Sequence, residues 1–249
     1  MNLNRCLAGT LVWIGLGVSG LRADETLESL ELQVTRRWAT VQTLSASTRL
    51  ESERKYPDRN IKKSTTGTYV FFRDGEKELV RQDLETHQDL DMTMGKDTPM
   101  QSIPTTEKKI IVSDGEKINM FTEGTRGNQG GRSLQAGSGL VIGGRSLFQT
   151  MFKDAELRIL PDSRFEGREA WAVMAIQDRG YTKTSYLIDK EWGVLLQRVT
   201  YQAKDDQDIP ATTYTISKIK VNGGDVTPEQ FKFEFPAGME IKDDTKLGE

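Results

Sequence analysis

The chain has 249 residues, and 34 Lys and Arg against 37 Asp and Glu give a formal net charge of −3, so no cationic excess is present to hold nucleic acid. Hydrophobic residues at 36%, charged residues at 29% and a mean hydropathy of −0.55 exclude a polytopic helical membrane protein. One Cys and one His supply no disulfide framework, no Cys/His zinc site and no His-based catalytic triad.

Residues 1–23 carry a cation at Arg5, an apolar run from Leu7 to Val18, small residues Ser19 and Gly20, and a cleavage point after Ala23. This is the pattern of a secretory signal peptide, and its run is shorter than the roughly 20 apolar residues of a bilayer span. Cys6 precedes the apolar run, so it is not placed like the acylated Cys of a lipoprotein. Cleavage leaves a cysteine-free, mildly acidic domain over residues 24–249, which suits a bacterial periplasm. Gly15-Leu16-Gly17-Val18-Ser19-Gly20 matches a dinucleotide fingerprint, but it lies inside the signal with no βαβ unit around it.

After Asp24, Leu27, Leu30, Val34, Trp38 and Val41 recur at spacings of three and four, which predicts an amphipathic helix of about five turns. From Ser45 the pattern turns to β-branched and aromatic runs. Asp74-Gly75-Glu76-Lys77 and Asp114-Gly115-Glu116-Lys117 each join two such runs, and Asp-Gly suits the positive φ of a hairpin turn. Further strands are expected at about 156–161, 168–177, 182–189, 194–203, 212–222 and 231–235, with Asp189–Gly193 as another turn. The fold class is therefore α+β and mainly antiparallel, with roughly nine to eleven strands in one sheet. A sheet of that size curls, and the result is an unclosed half-barrel with the helix on its concave face. Residues 124–144 hold eight glycines and predict a long mobile loop, which ends at a short helix carrying Leu147, Phe148, Met151 and Phe152.

Catalytic signatures are scarce. His87 sits in a polar stretch with no second His, as a solvated loop histidine would. Asp205-Asp206-Gln207-Asp208 lacks the EF-hand glycine and terminal Glu and reads as a hairpin tip. No nucleophile stands beside a base, so neither catalysis nor a cofactor or metal is expected. The helix stripe of Leu30, Val34, Trp38 and Val41, together with Phe71, Trp171, Val173 and Leu187 as inward strand residues, makes an ordinary core by periodicity alone. Met92, Met94 and Met100 fall in a polar connection and suit either a variable apolar partner or a covered sheet edge.

Several phrases resemble the LolA family of periplasmic lipoprotein carriers. They are Ile216–Asn222 followed by Thr227–Phe233 and Pro236–Glu240, Tyr186–Leu195 around an Asp-Lys turn, and Gly67–Arg73. The family's early strand usually ends in Arg-Pro, whereas Arg73 is followed by Asp74. The resemblance implies that the eight core candidates line a hydrophobic cavity for acyl chains of lipoproteins or lipids, with Phe148, Met151 and Phe152 on a lid. It further implies an inner-membrane donor, an outer-membrane acceptor, a monomeric carrier and no catalysis. Two alternatives stay open: an envelope sensor module acting by protein contact, and a glycan-acting hydrolase on a similar sheet.

Overall fold

A computed structural model describes residues 26–56, 59–92, 101–125, 127–134, 142–151, 155–177, 182–204 and 207–246. The signal segment 1–23, Met94, Met100, Phe152, Asp205 and Asp206 lie outside these residues. Helix α1 (Leu27–Ala39) begins where Thr26 Oγ1 accepts the Ser29 amide at 3.2 Å. It has 13 residues, shorter than the expected five turns. Thr40, Val41 and Thr43 are β-branched and resist helical χ1 packing. The freed end carbonyls are taken by side chains from the sheet: Arg73 donates to Trp38 O at 3.3 Å and Asn222 Nδ2 to Thr40 O at 3.2 Å. Val41 therefore lies in the connection after α1, and it is fully buried there.

The strands are β1 (Thr43–Lys55), β2 (Arg59–Asp74), β3 (Lys77–Met92), β4 (Gln101–Ser113), β5 (Lys117–Gly124), β6 (Gln129–Leu134), β7 (Glu156–Phe165), β8 (Arg168–Gln177), β9 (Thr182–Asp189), β10 (Leu195–Lys204), β11 (Gln207–Val221) and β12 (Ile241–Asp243). A second helix, α2 (Gly144–Met151), stands between β6 and β7. All twelve strands form one curled, unclosed sheet in the order β12-β6-β5-β4-β3-β2-β1-β11-β10-β9-β8-β7. Two meanders thus meet where β11 returns to pair with β1. Both Asp-Gly turns close hairpins as expected, with Gly75 at φ 61° and Gly115 at φ 89°, and Asp114 Oδ1 accepts the amides of Glu116 and Lys117.

Two elements differ from expectation. Within the glycine-rich stretch, residues 129–134 form β6 and pair in parallel with β12. The bare Cα atoms make this possible: a Cβ at Gly130 would come 2.8 Å from Met239 Sδ, so this glycine seats the C-terminal segment. The strand expected at 231–235 is absent. Pro228–Phe231 form a 3-10 turn, and Phe231 packs with Val112, Val226 and Phe72 on the convex face, because the strands beneath already have partners on both sides.

Alternation along the strands sends Leu44, Tyr69, Phe71, Val80, Val173, Ile188 and Ile216 to the concave face, where they meet Leu30, Val34 and Trp38 of α1 and Leu147 and Phe148 of α2. This cover is partial. In β1 the buried alternation Leu44, Ala46, Thr48 stops there; Leu50 and Ser52 continue it only half-buried, and Glu53–Lys55 are exposed. Because β2 and β3 each run 16 residues, the helices cover one end of the sheet and leave the concave face bare at the other.

Candidate functional site

The covered end is built around Trp38. Its ring centroid lies 4.7 Å from that of Phe71, and its Nε1 donates to Glu78 Oε1 at 3.1 Å. Arg73 bridges the same carboxylate at 3.1 Å and the helix-end carbonyl of Trp38. Arg73 thus locks α1 to the β2–β3 hairpin. The chain entering α2 also runs close against the indole. A Cβ on Gly143 would stand 2.5 Å from Trp38 Cδ2, and one on Gly144 2.5 Å from Trp38 Cδ1. Only glycine permits so close a passage. Residues 142–151 therefore form a strap across the core, attached to the sheet through the Gly143–Val194 bridge and the Leu195 amide donating to Ile142 O at 2.7 Å.

Of the residues expected to line a cavity, Leu30, Val34, Trp38, Val41, Phe71, Trp171 and Val173 are brought together, packed against one another in the core. Leu187 is not among them. Its neighbours Tyr186 and Ile188 face the core, so strand alternation turns Leu187 to the convex side. Phe148 packs beneath the strap beside Leu147. Met151 ends α2, and its side chain, like Phe152, is outside what the structure describes.

The open space begins where this core ends. A cavity of about 270 Å³ on the concave face is lined by Thr48, Leu50, Lys63, Thr65, Gln82, Leu84, Thr86, Glu107, Lys109, Ile142, Arg198 and Tyr214. Ile142 and Tyr214 belong both to the edge of the core and to the cavity wall. Leu84 reaches the wall by lying across Gly67, where a Cβ would meet Leu84 Cδ2 at 2.8 Å. Sharing Glu107, a wetter trough of about 500 Å³ continues along the bare end past Leu90 and Ile103. Burial pushes the Tyr214 hydroxyl up to about 12 and raises Tyr69 and Tyr186 as well, against the opposing pull of Arg198 on Tyr214 and Tyr186. These phenols stay protonated at neutral pH and can donate hydrogen bonds.

Sequence reasoning missed these wall residues. Thr48, Leu50, Tyr214 and Ile216 share a face by simple alternation and could have been found once β1 and β11 were paired. Arg198 could not, because a bulge between Leu195 and Gln197 shifts the alternation and brings both Leu195 and Arg198 to the concave side.

A second recess, about 730 Å³ and charged, lies at the helix end beside Arg37, Arg168, Glu169, Asp189, Lys190 and Glu191. Its buried acid is structural: Asp189, 1% exposed, takes Arg168 at 2.8 Å and the amides of Glu191 and Trp192 to close the β9–β10 turn. Lys190 pairs with Asp162, and Glu169 with Arg164. His87 lies on β3 instead of in a loop, exposed, beside Thr106 and Glu85. Among the described residues no group of three His, Cys, Asp or Glu side chains is placed to hold a metal.

No family model matches the chain, and no curated protein matches it. Solved structures do share similarity with it. A DUF1329 family protein from Desulfovibrio piger is 9% identical, with a TM-score of 0.32 over 82% of this chain and 96% of that one. A LolA superfamily protein from Nitrosomonas europaea is 9% identical, with a TM-score of 0.30 over 83% and 97%. An outer membrane lipoprotein-sorting protein domain from Vibrio parahaemolyticus is 11% identical, with a TM-score of 0.29 over 81% and 95%. Likeness at this level says nothing about what the chain binds.

Proposed function

We propose that the protein is a non-catalytic carrier that takes an alkyl chain into the concave side of its half-barrel and passes it to an acceptor. The observation that supports this most directly is the partly apolar cavity at the edge of the core, walled by Leu50, Leu84 and Tyr214 and roofed by Ile142 of the strap. A bound chain gains about 0.8 kcal/mol for each methylene removed from water. The cavity, at about 270 Å³, is smaller than the roughly 300–1,000 Å³ of sites for drug-sized ligands. A long chain therefore has two routes: outward along the trough towards Leu90 and Ile103, or inward as the strap lifts and the chain replaces Ile142, Leu147 and Phe148 against the core. In the second route Phe148 is part of the lid, as are Met151 and Phe152 beyond it, and Leu30, Val34, Trp38, Val41, Phe71, Trp171 and Val173 become the lining.

The secretory pattern of residues 1–23 and the resemblance to lipoprotein carriers support a periplasmic carrier, with a lipoprotein or lipid proposed as cargo and membrane-bound donor and acceptor proteins as partners. Release needs no reaction, only an acceptor in which the chain has lower free energy. The test is mild purification of the exported protein followed by native mass spectrometry. A near-stoichiometric alkyl-chain ligand is expected. A protein that is consistently empty and that also fails to bind a fluorescent fatty-acyl probe overturns the reading.

A further inference from the structure

Among the described residues, five arginines are half-buried: Arg73, Arg81, Arg132, Arg168 and Arg198. Four face a carboxylate, namely Glu78, Asp83, Asp243 and Asp189 respectively. Arg198 faces none. It lies on the concave face between Tyr186 and Tyr214 on the neighbouring strands, with its Cζ 5.7 Å from the Tyr214 ring centroid. A guanidinium withdrawn from water without a counter-charge costs folding free energy. In the same cavity Thr48 is 4% exposed, and its Oγ1 has no hydrogen-bond partner. Buried hydroxyls are nearly always satisfied, so an unsatisfied one on a cavity wall marks a place for a missing partner. The cavity's remaining ionic groups are Lys63, Lys109 and Glu107, which leaves three cations against one carboxylate.

Resting on the carrier reading, we infer that the ligand's head is an oxyanion, a carboxylate or phosphate joined to an alkyl chain, and that Arg198 receives it, with Thr48 in the same wall as a further hydrogen-bond donor. The planar fork of Arg198 can take two oxygens of either group, and the neutral phenols of Tyr186 and Tyr214 on either side of it add no negative charge of their own. Lys63 and Lys109 add positive potential at the mouth, where the head would enter. Leu50, Leu84 and Ile142 then meet the first carbons of the chain. Function here comes from an electrostatic deficit in the empty protein that the ligand makes good.

The experiment uses the delipidated full domain and three ligands of equal chain length: palmitic acid, hexadecyl phosphate and hexadecanol. Acetate and inorganic phosphate serve as heads without tails. The acid and the phosphate should bind at least tenfold tighter than the alcohol, about 1.4 kcal/mol. Arg198→Gln should collapse that preference, and Arg198→Lys should restore part of it, since the charge returns without the fork. Thr48→Val, nearly isosteric, should lower acid affinity several-fold and so tests the site even if Arg198→Gln fails to fold. If the wild-type protein binds all three chains equally, the oxyanion site is wrong while the carrier reading survives. If none of the three binds, the carrier reading itself fails. Competition by inorganic phosphate as strong as that by hexadecyl phosphate would mean a soluble anion is the true ligand and would overturn the amphiphile.

Discussion

If residues 142–151 are a cover and not an integral part of the core, forcing them off Trp38 should open the strap and leave the sheet intact. Gly143→Ala does this with one methyl group, which would stand 2.5 Å from Trp38 Cδ2. The indole has little room to yield, since Phe71 packs against it and Glu78 holds its Nε1. Overpacking of this kind costs about 1–3 kcal/mol. What holds the strap is the burial of Ile142, Leu147 and Phe148, which is worth roughly 5–9 kcal/mol in total. Backbone ordering of the strap offsets most of this gain, so a clash of this size is enough to shift the balance towards the open form. A shift of about 2 kcal/mol multiplies the open population about thirtyfold. The reporter is hydrogen exchange at the Leu195 amide, which donates to Ile142 O, compared with the Arg73 amide, whose acceptor, Gln42 O, does not belong to the strap. Leu195 should exchange about thirtyfold faster in Gly143→Ala, with Arg73 unchanged, because opening a local unit leaves global protection in place. If both amides accelerate together and the urea midpoint falls in step, strap and sheet are one cooperative unit and the cover does not exist.

Other changes test the frame that positions the site. Asn222→Ala removes a left-handed residue at φ 54° whose side chain accepts from the Gln42 amide and donates to Thr40 O; it should cost about 2–3 kcal/mol by urea denaturation, and Asn222→Gly should recover the backbone part only. Asp189→Ala leaves two turn amides unpaired and Arg168 with only its longer 3.5 Å contact to Glu191, and because Arg168 is 29% exposed the loss should lie near the lower end of about 3–5 kcal/mol; a loss under 1 kcal/mol would show that the turn stands without its carboxylate. Alkaline pH should destabilise the fold. Unfolded tyrosines ionise at about 10. Tyr214 in the folded protein holds its proton to about 12, and Tyr69 and Tyr186 are also raised by burial. The unfolded chain therefore loses these protons first, so the tyrosines' contribution to stability is constant below about pH 10 and is lost as pH rises from there through about 12. Thermal melts across that range, alongside tyrosinate absorbance, check the sign.

The parts of this molecule visible in the sequence are those specified locally. Leu30, Val34 and Trp38 follow helical spacing, and the Asp-Gly turns fix their hairpins through φ alone. What escaped depends on distant chain. Gly130 and Gly131 carry no strand propensity, and β6 exists because Met239 and Phe235 need a flat seat and β12 supplies a partner. Leu187 and Ile188 are both apolar, so alternation cannot say which faces inward until the pairing of Tyr186 with Val173 settles it. Arg198 was concealed by the bulge that brings it round. Val41 kept the helical spacing but left the helix, because Arg73 and Asn222, far along the chain, take the carbonyls at its end.

The same long-range constraints explain why the half-barrel stays open. The two short helices can cover only one end of strands as long as β2 and β3, so the concave face passes from the dry cluster around Trp38, through the Tyr69, Tyr186 and Tyr214 phenols with Arg198, to a bare trough. A chain-bearing ligand whose head stops at Arg198 meets the core boundary at Ile142, so the cavity and the strap form one device. Gly143→Ala should then speed association of palmitic acid if its tail goes inward beneath the strap, and leave that rate unchanged if the tail runs outward along Leu90 and Ile103. Stopped-flow measurement of the association rate decides between the two routes, because only the inward route requires the strap to open first.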